Sequence, residues 1–67
     1  MISYDPMYAT MQKRGITEYA MVNKHGIPKN TMQRMRHGEA ISTETLDTLC
    51  FILNCEVSDI LKYVKDE

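Results

Sequence analysis

Apolar side chains recur along the chain at the three- and four-residue spacing of amphipathic helices. The clearest run lies in residues 46–53, and a second run lies in residues 4–11. No segment alternates apolar and polar residues over the length of a strand. The pattern therefore predicts an all-α domain. The apolar residues of the two runs are Tyr4, Met7, Tyr8, Met11, Leu46, Leu49, Cys50 and Leu53.

Capping residues, glycines and prolines divide the chain into five predicted helices. Thr17, Ser42 and Asp5, the last of which precedes a proline, are typical N-cap residues. Gly15 and Asn54 readily adopt the left-handed conformation that ends a helix. With these limits, the predicted helices cover about residues 6–14, 18–25, 28–36, 43–53 and 56–64, the last starting at 56 or 58.

The second and third predicted helices are joined by a short turn. Gly26 stands at the end of the second helix, and Pro28 suits the first turn of the third. Two helices joined by three or four residues that include a glycine have the spacing of a helix-turn-helix motif. We expect this unit at about residues 17–37, within a single domain of residues 1–67.

The same periodicity assigns further side chains to the core. With no Trp and one Phe, the chain must fill its core with Leu, Ile, Met and Tyr, and five of the six methionines stand at core positions. The last two residues, Asp66 and Glu67, are expected to fray. The inward positions outside the two runs are Met21, Val22, His25, Met32, Met35, Val57, Ile60, Leu61 and Val64.

The outer face of the third helix carries hydrogen-bond donors and no acid. At about 100° per residue, Met32 and Met35 mark the core side of this helix. Arginine can bind guanine O6 and N7, and asparagine or glutamine can bind adenine N6 and N7. A lysine at a helix N-terminus adds to backbone amides that favour phosphate. The face therefore predicts binding to the major groove of double-stranded DNA. It consists of Lys29, Asn30, Gln33, Arg34, Arg36 and His37.

The charges are segregated along the chain, although the net charge is only −1. Residues 22–38 carry four Lys or Arg and no acid, whereas residues 39–67 carry seven acids and two lysines. A basic segment in an otherwise acidic chain favours a polyanion as partner.

Other functional classes find little support in the sequence. The histidines, His25 and His37, and the cysteines, Cys50 and Cys55, lack the spacing of a structural zinc site, and Cys50 is typical of a buried apolar residue. There is no glycine-rich phosphate loop, nucleophile elbow or HExxH motif, so we expect neither an enzyme nor a cofactor or small-molecule ligand. No apolar run is long enough to span a membrane, and we expect a cytoplasmic protein with free thiols.

Residues 16–32, ITEYAMVNKHGIPKNTM, resemble the Cro/phage-repressor type (XRE-like) helix-turn-helix. Residues 43–50, 52–55 and 59–61 are similar to a compact bacterial branch of these transcriptional regulators. The resemblance implies a five-helix domain, usually a dimer, that binds operator DNA with its third helix.

The resemblance also implies which residues contact DNA. The first residues of the recognition helix contact bases in this family, which corresponds to Lys29, Asn30 and Gln33, with Arg34 next. The family often has Gln where this chain has Glu18, and commonly Ser where it has Pro28, so two phosphate contacts differ here. Thr17 and the backbone amides of the second helix would make the phosphate contact that the family's Gln makes at the position of Glu18. The expected DNA-binding set is Thr17, Lys29, Asn30, Thr31, Gln33, Arg34, Arg36 and His37.

A recognition helix reads too few base pairs to select one site in a genome, which predicts a two-fold pair of chains. Phe51 and Tyr63 lie away from the inward stripes of their helices, so they either pack on neighbouring helices or face a partner. We expect them at the contact of a homodimer that is weak without DNA. The alternative is a protein-interaction or antitoxin-like module that uses the acidic fourth and fifth helices.

Overall fold

The computed structural model describes residues 1–65, which form four α-helices, one short 3-10 turn and a two-stranded sheet. The helices pack around one apolar core, and the sheet joins the two ends of the described chain. The elements are β1 (Ile2–Ser3), α1 (Asp5–Arg14), α2 (Glu18–Asn23), α3 (Lys29–Arg36), α4 (Thr43–Leu53), the 3-10 turn (Val57–Asp59) and β2 (Lys62–Tyr63).

The described chain is mostly helical, as predicted, but the prediction of five helices is wrong, because the segment after α4 is not an α-helix. Glu56 and Asp59 form a capping box around a single 3-10 turn, and the helix does not continue beyond it. The chain then extends, and β2 pairs antiparallel with β1, with Tyr63 opposite Ile2. Backbone groups that a fifth helix would satisfy internally are satisfied here by the start of the chain.

The predicted helix caps are largely confirmed. The hydroxyls of Thr17 and Ser42 accept hydrogen bonds at 3.1 Å from the amides three residues later. Gly15 and Asn54 end α1 and α4 in the left-handed conformation, with φ of 70° and 49°. The expected N-cap Asp5 is wrong, because it is the first residue of α1 and Tyr4 occupies the cap position.

Methionine dominates the core, as the sequence predicts. The five methionines assigned to the core are buried, and Leu49, Leu53 and Ile60 complete it from the second half of the chain. Cys50 is only partly buried and packs against the core from outside. The buried methionines are Met7, Met11, Met21, Met32 and Met35.

Three residues that the periodicity placed inward are exposed. His25 lies beyond the end of α2 at Asn23, because this helix is shorter than predicted, and Ile27 is buried near it instead. Val57 and Val64 are exposed because the segment that carries them is not a helix. The expected fraying of Asp66 and Glu67 concerns positions outside the described residues.

Candidate nucleic-acid interface

The connection between α2 and α3 is a tight turn fixed by backbone hydrogen bonds. The amide of His25 donates to the Ala20 carbonyl at 3.1 Å, and the amide of Ile27 donates to the Met21 carbonyl at 3.0 Å. Gly26 lies between them with φ of 75°, a left-handed conformation that favours glycine. The turn thereby sets the direction in which α3 leaves α2.

Burial of one side of α3 leaves its polar side in solvent. Met32 and Met35 are each 2% exposed, and Thr31 is half-buried beside them. No acid occurs between Lys29 and Arg36. The structure therefore brings six of the eight predicted DNA-binding residues to the exposed side or carboxyl end of one element. They are Lys29, Asn30, Gln33, Arg34, Arg36 and His37.

An open groove separates α2 from α3. Three predicted residues line it from α3, namely Lys29, Gln33 and Arg36. Tyr19 and Asn23 line the opposite wall from α2. Three of the predicted DNA-binding residues thus border the same concave surface as polar side chains of α2. The full lining is Glu18, Tyr19, Val22, Asn23, Lys29, Met32, Gln33 and Arg36.

The other predicted residues lie outside this groove. The guanidinium of Arg34 donates to the Ala40 carbonyl at 3.1 Å, on the loop that follows α3. His37 is the C-cap residue of α3 and lines a second depression with the first residues of the chain. Thr17 is exposed, and its hydroxyl oxygen caps α2.

An ion pair between Glu18 and Arg36 is a feature that the sequence did not predict. The Arg36 guanidinium donates to the Glu18 carboxylate and joins the start of α2 to the end of α3. The sequence marked Glu18 only as an acid at a position expected near phosphate. The two residues are eighteen positions apart, so only the packing of α2 against α3 reveals their contact.

Tyr19 is a second residue of the groove that the sequence analysis did not identify. Its side chain is 76% exposed at the edge of the groove, and its carbonyl accepts a hydrogen bond from the Asn23 side chain at 3.1 Å. A helical wheel places Tyr19 about 200° from the buried Met21. That outward phase, on the helix before α3, is the signal that could have identified Tyr19 as a residue of the groove.

Tyr8 lies close to the ion pair. Its hydroxyl oxygen is buried and has no hydrogen-bond partner among the described residues. Burial raises the pKa of Tyr8, and the negative charge of Glu18 raises it further, while Arg36 opposes this shift. Both members of the pair therefore act on the same buried hydroxyl.

Phe51 and Tyr63 are among the most exposed apolar side chains of the described chain. Phe51 is 86% exposed on α4, and Tyr63 is 70% exposed on β2 rather than on a fifth helix. Tyr63 stands opposite Ile2, which is also exposed, in the antiparallel pair. The two residues expected at a dimer interface therefore lie on separate elements.

The cysteines are two free thiols near the end of α4. The Cys55 amide donates to the Cys50 carbonyl at 3.1 Å, which closes the helix end. Burial raises the pKa of the Cys55 thiol, and the neighbouring Cys50 adds to this effect. The raised pKa favours the protonated form of Cys55 at neutral pH.

Within residues 1–65, no group of three or more His, Cys, Asp or Glu side chains is arranged to hold a metal ion. None of the helices in this part of the chain has the length and apolar character that crossing a membrane requires.

Comparison with known proteins relates this geometry to a family. The model of the Cro/C1-type helix-turn-helix DNA-binding domain matches residues 9–66. No curated protein matches the chain. Among solved structures, the chain is similar to the transcriptional regulator VanUg, with a TM-score of 0.86 and 23% identity over 97% of this chain and 87% of that one. At this identity the likeness shows the fold.

Proposed function

Because this chain belongs to the Cro/C1-type helix-turn-helix DNA-binding domain family, we propose that it is a sequence-specific transcriptional regulator. In this proposal it occupies operator DNA with α3 in the major groove. The observation that carries the proposal is the solvent-exposed side of α3, which offers hydrogen-bond donors and positive charge without an acid.

The residues of α3 divide into two proposed roles. Lys29, Asn30 and Gln33 read base edges, because their side chains project from the first turns of the recognition helix and are exposed. The remaining residues contact phosphate and set the register of the helix on the duplex. Arg34, the next candidate for a base contact, is assigned to phosphate here because its guanidinium donates to the Ala40 carbonyl on the loop after α3. The phosphate contacts in this proposal are Thr17, Thr31, Arg34, Arg36 and His37.

We propose further that two copies bind one operator. A single recognition helix contacts few base pairs, and a two-fold pair places two half-sites about one helical turn apart. Phe51 and Tyr63 are exposed apolar side chains outside α3, so contacts through either leave the recognition helix free. A small interface of this kind favours a dimer that forms mainly on DNA in the bacterial cytoplasm.

Selection of bound duplexes from a random pool tests the proposal directly. We expect a recurring, two-fold symmetric site, and affinity for it that falls steeply with salt because phosphate contacts release counterions. Failure to bind any duplex at low salt would contradict DNA binding. That result would favour the alternative of a protein-interaction module that uses α4.

A further inference from the structure

We propose that Glu18 competes with DNA phosphate for Arg36 and so weakens sequence-independent binding without changing the bases that are read. This inference rests on the proposed DNA-binding function. The structural basis is the ion pair that joins the first residue of α2 to the last residue of α3. Both side chains line the groove that also holds Lys29 and Gln33.

Arg36 differs from the proposed base-reading residues in its contacts within the protein. Among residues 1–65, the side chains of Lys29, Asn30 and Gln33 make no hydrogen bond or ion pair with the protein. They are therefore uncommitted before DNA arrives. Arg36 is already held by Glu18, so a phosphate oxygen must displace that carboxylate to bind the guanidinium.

The exposure of the pair makes this exchange feasible. The side chains of Glu18 and Arg36 are 34% and 55% exposed, so solvent and salt screen their attraction. Exposed ion pairs contribute little net stability, which means that phosphate can replace the carboxylate at small cost. A fully buried pair would hold Arg36 permanently and would remove it from the interface.

The charge of Glu18 acts on every duplex alike. Phosphates are present whatever the base sequence, so competition for Arg36 lowers affinity for preferred and random duplexes together. Base contacts from Asn30 and Gln33 do not involve this pair. The competition therefore reduces affinity and salt dependence, while the order of preference among sequences stays unchanged.

The decisive variant is Glu18→Gln, which removes the charge and keeps the size of the side chain. We expect it to bind both a selected and a scrambled duplex more tightly, by up to about 5-fold, because an exposed ion pair has a strength in that range. The slope of log affinity against log salt becomes steeper, by up to about 0.9 for one phosphate contact. Asp47→Asn, an equal charge change at an exposed site on α4, is the matched control and leaves the slope unchanged.

A double-mutant cycle distinguishes competition for Arg36 from direct repulsion between Glu18 and the phosphates. If Glu18 acts through Arg36, the gain disappears when Glu18→Gln is made in an Arg36→Gln background. A gain that persists there would overturn the proposal, as would a Glu18→Gln variant that folds, by circular dichroism, but binds no more tightly. If the parent binds duplex DNA but Glu18→Gln binds no more tightly, only this inference is refuted. Absence of binding by the parent refutes the proposed function as well.

Discussion

The Tyr4 hydroxyl donates a hydrogen bond to the Glu39 carbonyl at 2.7 Å, across thirty-five positions of sequence. Tyr4 occupies the N-cap position of α1 and is almost fully buried, while Glu39 lies just after the end of α3. The bond therefore ties the exit of α3 to the first helix of the core. It limits how far the carboxyl end of α3 can move relative to the rest of the domain.

Tyr4→Phe should lower the free energy of unfolding by about 1–2 kcal/mol, because it leaves a part-buried carbonyl without its donor. Urea unfolding at neutral pH measures this change. Tyr63→Phe is the control, since its hydroxyl is on an exposed side chain, and it should leave the midpoint unchanged. Equal midpoints for Tyr4→Phe and the parent would show that the bond contributes nothing.

Tyr8→Phe should behave in the opposite way. The Tyr8 hydroxyl oxygen is buried and has no hydrogen-bond partner among residues 1–65. Its removal should therefore raise the free energy of unfolding at pH 7 by up to about 1 kcal/mol. The raised pKa of Tyr8 means that the folded state holds the proton more tightly than the unfolded state. The parent therefore keeps its stability while Tyr8 stays protonated, and it loses stability as the pH rises above the usual tyrosine pKa of about 10.

Urea unfolding of the parent and of Tyr8→Phe at pH 7 and pH 10.5 checks both statements. We expect the advantage of the variant to grow at the higher pH, because only the parent can lose stability through this hydroxyl. If the free energy of unfolding of Tyr8→Phe at pH 7 is more than about 1 kcal/mol below that of the parent, the hydroxyl makes a stabilising hydrogen bond.

Gln33→Ala should relax sequence preference at one base position. Gln33 is exposed on α3 and lines the groove with Lys29, and a bidentate contact to a base is worth about 1–3 kcal/mol of discrimination. Selection from random duplexes, run in parallel with the parent, measures the change. Gln12→Ala, on the exposed side of α1, should retain the parental site. An unchanged preferred site for Gln33→Ala would show that this side chain reads no base.

Tyr63→Glu should abolish two-fold protection of the operator in footprinting while leaving the monomer folded. The side chain is 70% exposed, so the change alters no core contact, but a carboxylate in an apolar interface is costly. Tyr63→Phe retains the apolar ring and should keep the symmetric footprint. A symmetric footprint that survives Tyr63→Glu would exclude Tyr63 from the dimer contact.

Local chemistry made most of the helical fold predictable. The hydroxyls of Thr17 and Ser42 and the left-handed Gly15 act on residues within four positions, so sequence alone identifies them. The methionine core followed from helical spacing in the same way. The predicted third helix likewise agrees with α3 to within one residue.

The errors concern contacts between distant segments. Ile60 and Leu61 match a helical period, and the sequence could not reveal that β1 pairs with the residues that follow. A strand partner sixty residues away leaves no local pattern. The same reason hid the Glu18–Arg36 pair, because it depends on how α2 and α3 pack. The face of α3 was predictable, but the charge that competes for one of its arginines was not.

The β1–β2 pair has a consequence for the order in which the domain folds. Joining Met1 to Val64, sixty-three positions apart, closes a loop of nearly the whole chain, at an entropic cost of about 4 kcal/mol if the chain between them were unstructured. Two residues per strand cannot offset such a cost alone. The helices must pack first and bring the two ends together. The terminal strands therefore close last during folding, and their amide protons should exchange with solvent before those of the methionine core.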